Sequence, residues 1–144
     1  MKFWDSSALL PLLLPDQRSA LLVALLQDDP GAAVWWATPV ECISALCRLE
    51  RDQRLSPAGA AAAAQRLLEA AKGWTEVPPV ERVRDQAVRL LRVHPLRAAQ
   101  ALPLAAAIVL SDYQPSSLPF VTLDQHLAHA AEREGFEVLG ASRP

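Results

Sequence analysis

Lys2-Phe3-Trp4-Asp5-Ser6-Ser7-Ala8-Leu9-Leu10 opens the chain with a short apolar run, a carboxylate, two small hydroxyl residues and a second apolar run. The first run reads as a buried strand and the second as the start of a helix, so Asp5 lies where one gives way to the other. Open α/β sheets put their ligand sites at the carboxyl ends of strands. The stretch therefore points both to a fold class and to the place of a site.

Outward from Asp5 the apolar period keeps switching between short runs and helical spacing. Residues 7–14 read as a short helix ended by Pro15, and residues 18–27 as a second helix with leucines at helical spacing. Residues 33–37, with Trp35 and Trp36, read as a second buried strand, after which Thr38 and Pro39 cap and start a helix to about Arg51. Ser56 and Pro57 repeat that signal for a helix to about Lys72, ended by Gly73. A strand over 75–77, a charged amphipathic helix over 80–93 and an apolar helix over 96–110 follow. After a loop at 112–118 come a strand over 120–123, a helix over 124–134 and, behind Gly135, a last strand over 136–139. This alternation predicts one α/β domain, residues 1–144, with a central parallel sheet of about four to five strands flanked by helices on both faces.

Composition narrows the class of function. A 144-residue chain that is 51% hydrophobic can build a real core, and a net charge of -2 gives no global attraction to nucleic acid or anionic membranes. No run reaches the roughly 18 apolar residues of a membrane span, and the N-terminus lacks a signal peptide's basic region. A soluble cytoplasmic protein, with no membrane partner, is expected. Cys42 and Cys47 are five apart on one helix, which excludes a CxxC pattern and reads as two buried free thiols. His126 and His129 share a helix face without a third ligand, and read as solvated.

Three carboxylates occupy comparable places. Asp5 closes the first strand, Glu41 sits in the first turn of the helix after the second strand, and Asp124 directly follows Phe120-Val121-Thr122-Leu123. Such positions converge when the parallel strands are neighbours. Converging carboxylates repel unless something cationic holds them, and hard oxygen ligands with open positions suit Mg²⁺ or Mn²⁺ rather than zinc. Each acid also has a simpler role open to it: Asp5 and Asp124 as helix caps, Glu41 as a complement to a helix dipole.

The chain resembles the PIN domains, and in particular the VapC-like toxin ribonucleases of type II toxin–antitoxin pairs. Phe3-Trp4-Asp5-Ser6-Ser7-Ala8-Leu9 is similar to the family's opening motif and Thr38-Pro39-Val40-Glu41-Cys42-Ile43-Ser44-Ala45-Leu46 to its second. His94-Pro95-Leu96-Arg97-Ala98-Ala99 leads into the third, and Phe120-Val121-Thr122-Leu123-Asp124 with Gly135-Phe136-Glu137-Val138 matches the fourth. Four motifs in the right order over nearly the whole chain are specific where each alone is weak. The resemblance implies a PIN-like three-layer fold and a metal-dependent endoribonuclease in which Asp5, Glu41 and Asp124 bind or orient one or two divalent ions. Those ions would activate water against a phosphodiester phosphorus and stabilise the leaving oxygen. Ser6 looks like the family's hydroxyl beside the first acid, and with Thr122 would orient carboxylates by hydrogen bonds. An antitoxin partner and a homodimer are also implied.

The third motif departs from the pattern. The family's acid is replaced by Gln100, which can still offer an amide oxygen to a metal but carries no charge and cannot act as a base. The site loses about one of four negative charges, and affinity in oxygen sites follows that count. Pro103 lies where it removes an amide donor and clashes with the carbonyl of Ala99, so a kink or a separate first turn is expected there. Asp112 cannot substitute, being roughly 18 Å along the helix from Gln100. An alternative function is thereby kept: a catalytically weakened PIN-fold protein that binds RNA or an antitoxin.

For RNA, Arg82, Arg84, Arg89, Arg92 and Arg97 form the first positive stretch, with Arg48, Arg51 and Arg54 as a second set. A solvated helix face accounts for either group as well, and no aromatic stacking platform accompanies them. The leucines at 9, 10, 12, 13 and 14 and at 21, 22, 25 and 26 exceed one amphipathic stripe, which suggests a docking partner beside ordinary core. Two other phosphate-handling α/β designs fail on chemistry. A receiver needs a lysine after a late strand, yet only Lys2 and Lys72 exist, and a dehalogenase-like enzyme wants an aspartate where Ser7 stands.

Overall fold

A computed structural model describes residues 1–17 and 19–141. Five strands, β1 (Lys2–Trp4), β2 (Ala32–Trp35), β3 (Thr75–Val77), β4 (Phe120–Thr122) and β5 (Val138–Gly140), form one parallel sheet in the order β3-β2-β1-β4-β5. From β1 the chain winds outward through β2 and β3, then returns to the other side for β4 and β5. The order therefore reverses between β1 and β4, and the crevice beyond their carboxyl ends is where such sheets bind ligands.

The three inner strands, β1, β2 and β4, are buried along their whole length because both faces are covered, whereas edge strand β3 exposes Thr75 and Glu76. Successive side chains alternate between two cores. Phe3, Ala33, Trp35 and Phe120 face a layer of α5 (Glu81–Val93), α6 (Ala98–Leu110) and α7 (Gln125–Glu134). Trp4, Val34 and Val121 face α1 (Ser6–Leu13), α2 (Ala20–Asp28), α3 (Thr38–Arg51) and α4 (Pro57–Ala71). Phe3 and Phe120 are register partners across β1 and β4, and their rings stack at 5.3 Å. This is the expected PIN-like three-layer architecture.

Several boundaries move for local reasons. The start of the second helix at Arg18 lies outside the described residues, as does the end of the domain beyond residue 141; α2 is capped by Ser19, whose hydroxyl accepts from Leu22 N–H. The second strand stops at Trp35 instead of Ala37, because Trp36 turns outward, 53% exposed, after donating to the Val77 carbonyl. Thr38 is not the cap of α3: Ala37 takes that place without a side-chain bond, and the Thr38 hydroxyl is buried without a partner among the described residues. The last strand starts two residues later and ends one residue later than its apolar pattern suggests, since Phe136 is drawn into the core against Phe120 at 5.5 Å. Helix α6 runs continuously from Ala98 through Pro103, so the separate first turn is not found. Cys42 is buried as expected, but Cys47 is exposed.

Gly140 ends β5 opposite Thr122 with φ at +97°, and a Cβ there would sit 2.9 Å from the Thr122 carbonyl oxygen. Both the left-handed backbone and the close approach demand glycine. Gly140→Ala is expected to cost about 1–3 kcal/mol, read from urea denaturation midpoints. An unchanged midpoint would rule this account out.

Candidate active site

The carboxyl ends of β1 and β4, the first turns of α1 and α3 and the start of α6 enclose an open pocket of about 550 Å³. Asp5, Ser6, Ser7, Glu41, Gln100 and Asp124 all line it. The acids singled out from the sequence are thus brought together, with Gln100 among them. Thr122 lies beneath, fully buried.

Asp5 is the N-cap of α1 and is 5% exposed. Its Oδ2 accepts three hydrogen bonds: from the Ser7 hydroxyl at 2.5 Å, the Ser7 backbone N–H at 3.2 Å and the Thr122 hydroxyl at 3.1 Å. The Ser7 and Thr122 hydroxyls in turn accept from the backbone N–H groups of Leu123 and Asp124, which ties β1 to the β4–α7 junction. Capping and site-building are therefore one arrangement. Every bond falls on Oδ2, and Oδ1 accepts none among the described residues. Ser7, not Ser6, is the residue that orients the first acid; the sequence signal was an Asx-type cap two residues after Asp5.

Ser6 instead donates to Oε2 of Glu41 at 3.1 Å, and Oε1 accepts no hydrogen bond among the described residues. Asp124 caps α7, its Oδ1 accepting from Leu127 N–H at 3.0 Å. Its Oδ2 accepts from the Gln100 amide nitrogen at 2.8 Å. The Gln100 oxygen, expected to face a metal, accepts from Arg97 N–H at 2.9 Å. The neighbours dictate this orientation, because Arg97 N–H can only donate and an ionised carboxylate can only accept.

Burial pushes the Asp5 carboxyl up despite its hydrogen bonds, with Asp124 adding like charge. Burial also raises Glu41 to about 7, helped by Asp5 and opposed by the Ser6 hydrogen bond. The same surroundings, burial first and then Glu41 and Asp5, push the Cys42 thiol up to about 12, so it is no nucleophile. A carboxyl titrating near 7 in the fold but near 4.5 when unfolded keeps its proton longer in the native state. Native protein then binds more protons than unfolded protein between those values, and its stability falls as pH rises through that window. In EDTA, Tm is expected to drop from pH 5 to pH 7.5, and Glu41→Gln to remove much of that slope. A parent and a variant with parallel profiles would contradict the burial argument.

As to a divalent ion, Asp5 Oδ1 and Glu41 Oε1 are free carboxylate oxygens in one pocket. Among the described residues no three His, Cys, Asp or Glu side chains cluster closely enough to hold a metal. The donor set fits one Mg²⁺ or Mn²⁺, which commonly takes only one or two carboxylates and keeps several waters. Asp124 stands in the same pocket with the Gln100 amide on its Oδ2.

The arginine stretch lies elsewhere. Arg82 and Arg92 are exposed on α5 and do not line the pocket. Arg97 caps α6 through its backbone, and its side chain is outside the pocket lining. Arg89 is committed: its guanidinium donates twice to Glu134, at 2.8 and 3.2 Å, while buried His94 Nε2 meets the same carboxylate at 2.6 Å. Burial works against ionisation of Glu134, yet these partners outweigh it and hold the group below its usual range. Arg89 thus braces α5 against α7. His126 and His129 are exposed on α7.

No protein-family model and no curated protein matches the chain. Solved structures do. A toxin-antitoxin complex from Klebsiella pneumoniae contains a chain similar over 100% of both sequences, at 16% identity and a TM-score of 0.66. FitAcB from Neisseria gonorrhoeae matches over 96% of both chains at 19% identity and a TM-score of 0.66. PAE2754 from Pyrobaculum aerophilum matches 98% of this chain and 87% of its own, at 23% identity and a TM-score of 0.59. At these identities what is shared is the fold.

Proposed function

We propose that this chain is a metal-dependent endoribonuclease of the PIN toxin type, hydrolysing RNA phosphodiester bonds at the pocket that holds Asp5, Glu41, Gln100 and Asp124. The observation that carries this reading is the pair of unengaged carboxylate oxygens, on Asp5 and Glu41, in a polar pocket at the point where the strand order reverses. Asp5 and Glu41 would hold one Mg²⁺ or Mn²⁺, which when bound supplies Lewis acidity toward the phosphodiester. Ser7 and Thr122 fix the Asp5 rotamer, and Ser6 fixes that of Glu41. Gln100 holds Asp124 by an amide donor where the family's pattern has another acid, so the pocket carries less charge and binds its ion more weakly.

That clasp also favours a second reading, a PIN-fold protein that binds RNA or an antitoxin and cuts poorly. Cleavage of a structured RNA in Mn²⁺ and in Mg²⁺, by the parent, Gln100→Asp and Asp5→Asn, separates the two. Parent cleavage that vanishes in Asp5→Asn is the expected result, with Gln100→Asp raising the rate at limiting metal by about tenfold. A silent parent beside an active Gln100→Asp would move the function to binding.

An antitoxin is the proposed protein partner, in keeping with the toxin-antitoxin complex among the similar structures. An apolar hollow of about 400 Å³, lined by Leu9, Leu12, Leu13, Leu26 and Trp74 with Arg66 and Glu69 at hand, offers it a seat. A homodimer is proposed through the exposed Val80, Val88 and Leu91 of the α5 face. No helix is long and apolar enough to cross a membrane among the described residues. Action on RNA would place the protein in the cytoplasm.

A further inference from the structure

We propose that RNA leaves the acidic pocket along the groove between α1 and α3, and that Arg48 and Arg54 hold its phosphates there. The proposal rests on the RNA-cleaving function above and names the contacts that function lacks. Glu41, Ala45 and Arg48 follow one another at i, i+4 and i+7 on α3, and all three line the pocket. Arg48 thus stands about 10 Å along the helix from Glu41. It is exposed, and its guanidinium has neither a salt bridge nor a hydrogen bond among the described residues.

Past the ends of the same two helices lies a second hollow of about 400 Å³, walled by the segments that leave α1 and α3 and by Gly59 and Arg66 of α4. Helix α1 supplies Ser6, Ser7 and Leu10 to the acidic pocket, and its exit, Leu14 and Pro15, bounds this second space. Across it stands Arg54, just past the end of α3 and likewise unpaired among the described residues. Arg66 lines it too but donates to the Leu13 carbonyl at 2.8 Å, and Asp16 is the acid that faces it. A strand entering the acids thus meets one free guanidinium in the pocket wall and a second beyond it.

Electrostatics favours this path. With a net charge of -2 the molecule gains nothing from its global field, so polyanion binding needs local cations. Three carboxylates repel a phosphate unless a cation lies close by, and among the described arginines only Arg48 lines their pocket. The α5 arginines do not. Guanidinium forks suit phosphate, and without a base-reading platform the contact is independent of sequence.

The test is the salt dependence of binding of a labelled single-stranded RNA to the full chain in EDTA, from about 50 to 200 mM KCl, with two unrelated sequences. For single strands each phosphate contact contributes about 0.7 to the slope of log affinity against log salt, so Arg48→Gln with Arg54→Gln is expected to flatten it by about 1.4. Over that fourfold range the loss of affinity would shrink about sevenfold, equally for both sequences. Arg48→Lys should restore most of the slope, and Arg82→Gln on α5 should leave it alone. A folding defect would lower the bound fraction without altering the slope.

If the parent binds and cuts RNA but the double variant keeps its slope, the groove assignment falls and the nuclease function stands. If the parent neither binds nor cuts RNA, both fall. If polyglutamate binding depends on Arg48 while RNA binding does not, the groove takes an acidic polypeptide and the proposal is overturned.

Discussion

Asp5→Asn is expected to lower metal-dependent RNA cleavage by about a thousandfold or more while leaving Tm at or slightly above that of the parent. Lewis-acid stabilisation by a bound ion is worth several kcal/mol, and about 4 kcal/mol corresponds to a factor of 10³ in rate. Asparagine keeps the shape of the side chain. Its amide oxygen can take the place of Oδ2 and accept from the Ser7 hydroxyl, the Ser7 backbone and the Thr122 hydroxyl. Its amide nitrogen then turns toward the pocket in place of Oδ1. The charge is what is lost, and burial penalises that charge in the folded protein, so stability does not suffer. Cleavage within tenfold of the parent would show that Asp5 is a cap and nothing more.

The largest effect on stability is expected at Phe120. The ring is completely buried, stacks on Phe3 and tilts against Phe136, so one side chain joins β1, β4 and the segment leading to β5. Phe120→Ala removes the transfer energy of the ring, leaves a cavity and breaks two aromatic contacts, for a loss of about 4–5 kcal/mol. Domains of this kind are stable by about 5–15 kcal/mol, so the variant would sit near the edge of folding at 37 °C. Phe120→Leu, which refills most of the volume, should cost about 1–2 kcal/mol. Urea unfolding with a constant m value measures both. A loss at Phe120→Ala no greater than that of an exposed control such as Leu21→Ala would mean that the stacked rings are not what joins the strands.

Much of the fold was legible because the inner strands are short, buried along their length and bounded by turn chemistry. Phe3-Trp4 before Asp5 and Phe120-Val121-Thr122 before Asp124 could hardly be read otherwise. The misplaced boundaries share one cause: Trp36, Thr38 and Phe136 are placed by tertiary packing that competes with local propensity. Arg89 illustrates the same limit for charge. Its helix face looked like a phosphate patch, yet the acid that engages it is 45 residues away.

The order of strands and helices, the two-faced burial of the sheet and the placing of Asp5, Glu41 and Asp124 at strand–helix junctions were determined by the sequence alone, because apolar period and capping chemistry are local properties. Which oxygen of each acid is left free was decided only by the tertiary structure. So were the replacement of Ser6 by Ser7 as the Asp5 partner, the clasp of Gln100 on Asp124 and the presence of Arg48 in the pocket wall. Those are relations between β1, α3, α6 and β4, elements up to about a hundred residues apart in the chain, and a hydrogen bond depends on donor and acceptor meeting within about 3 Å, a condition that no spacing along the chain specifies.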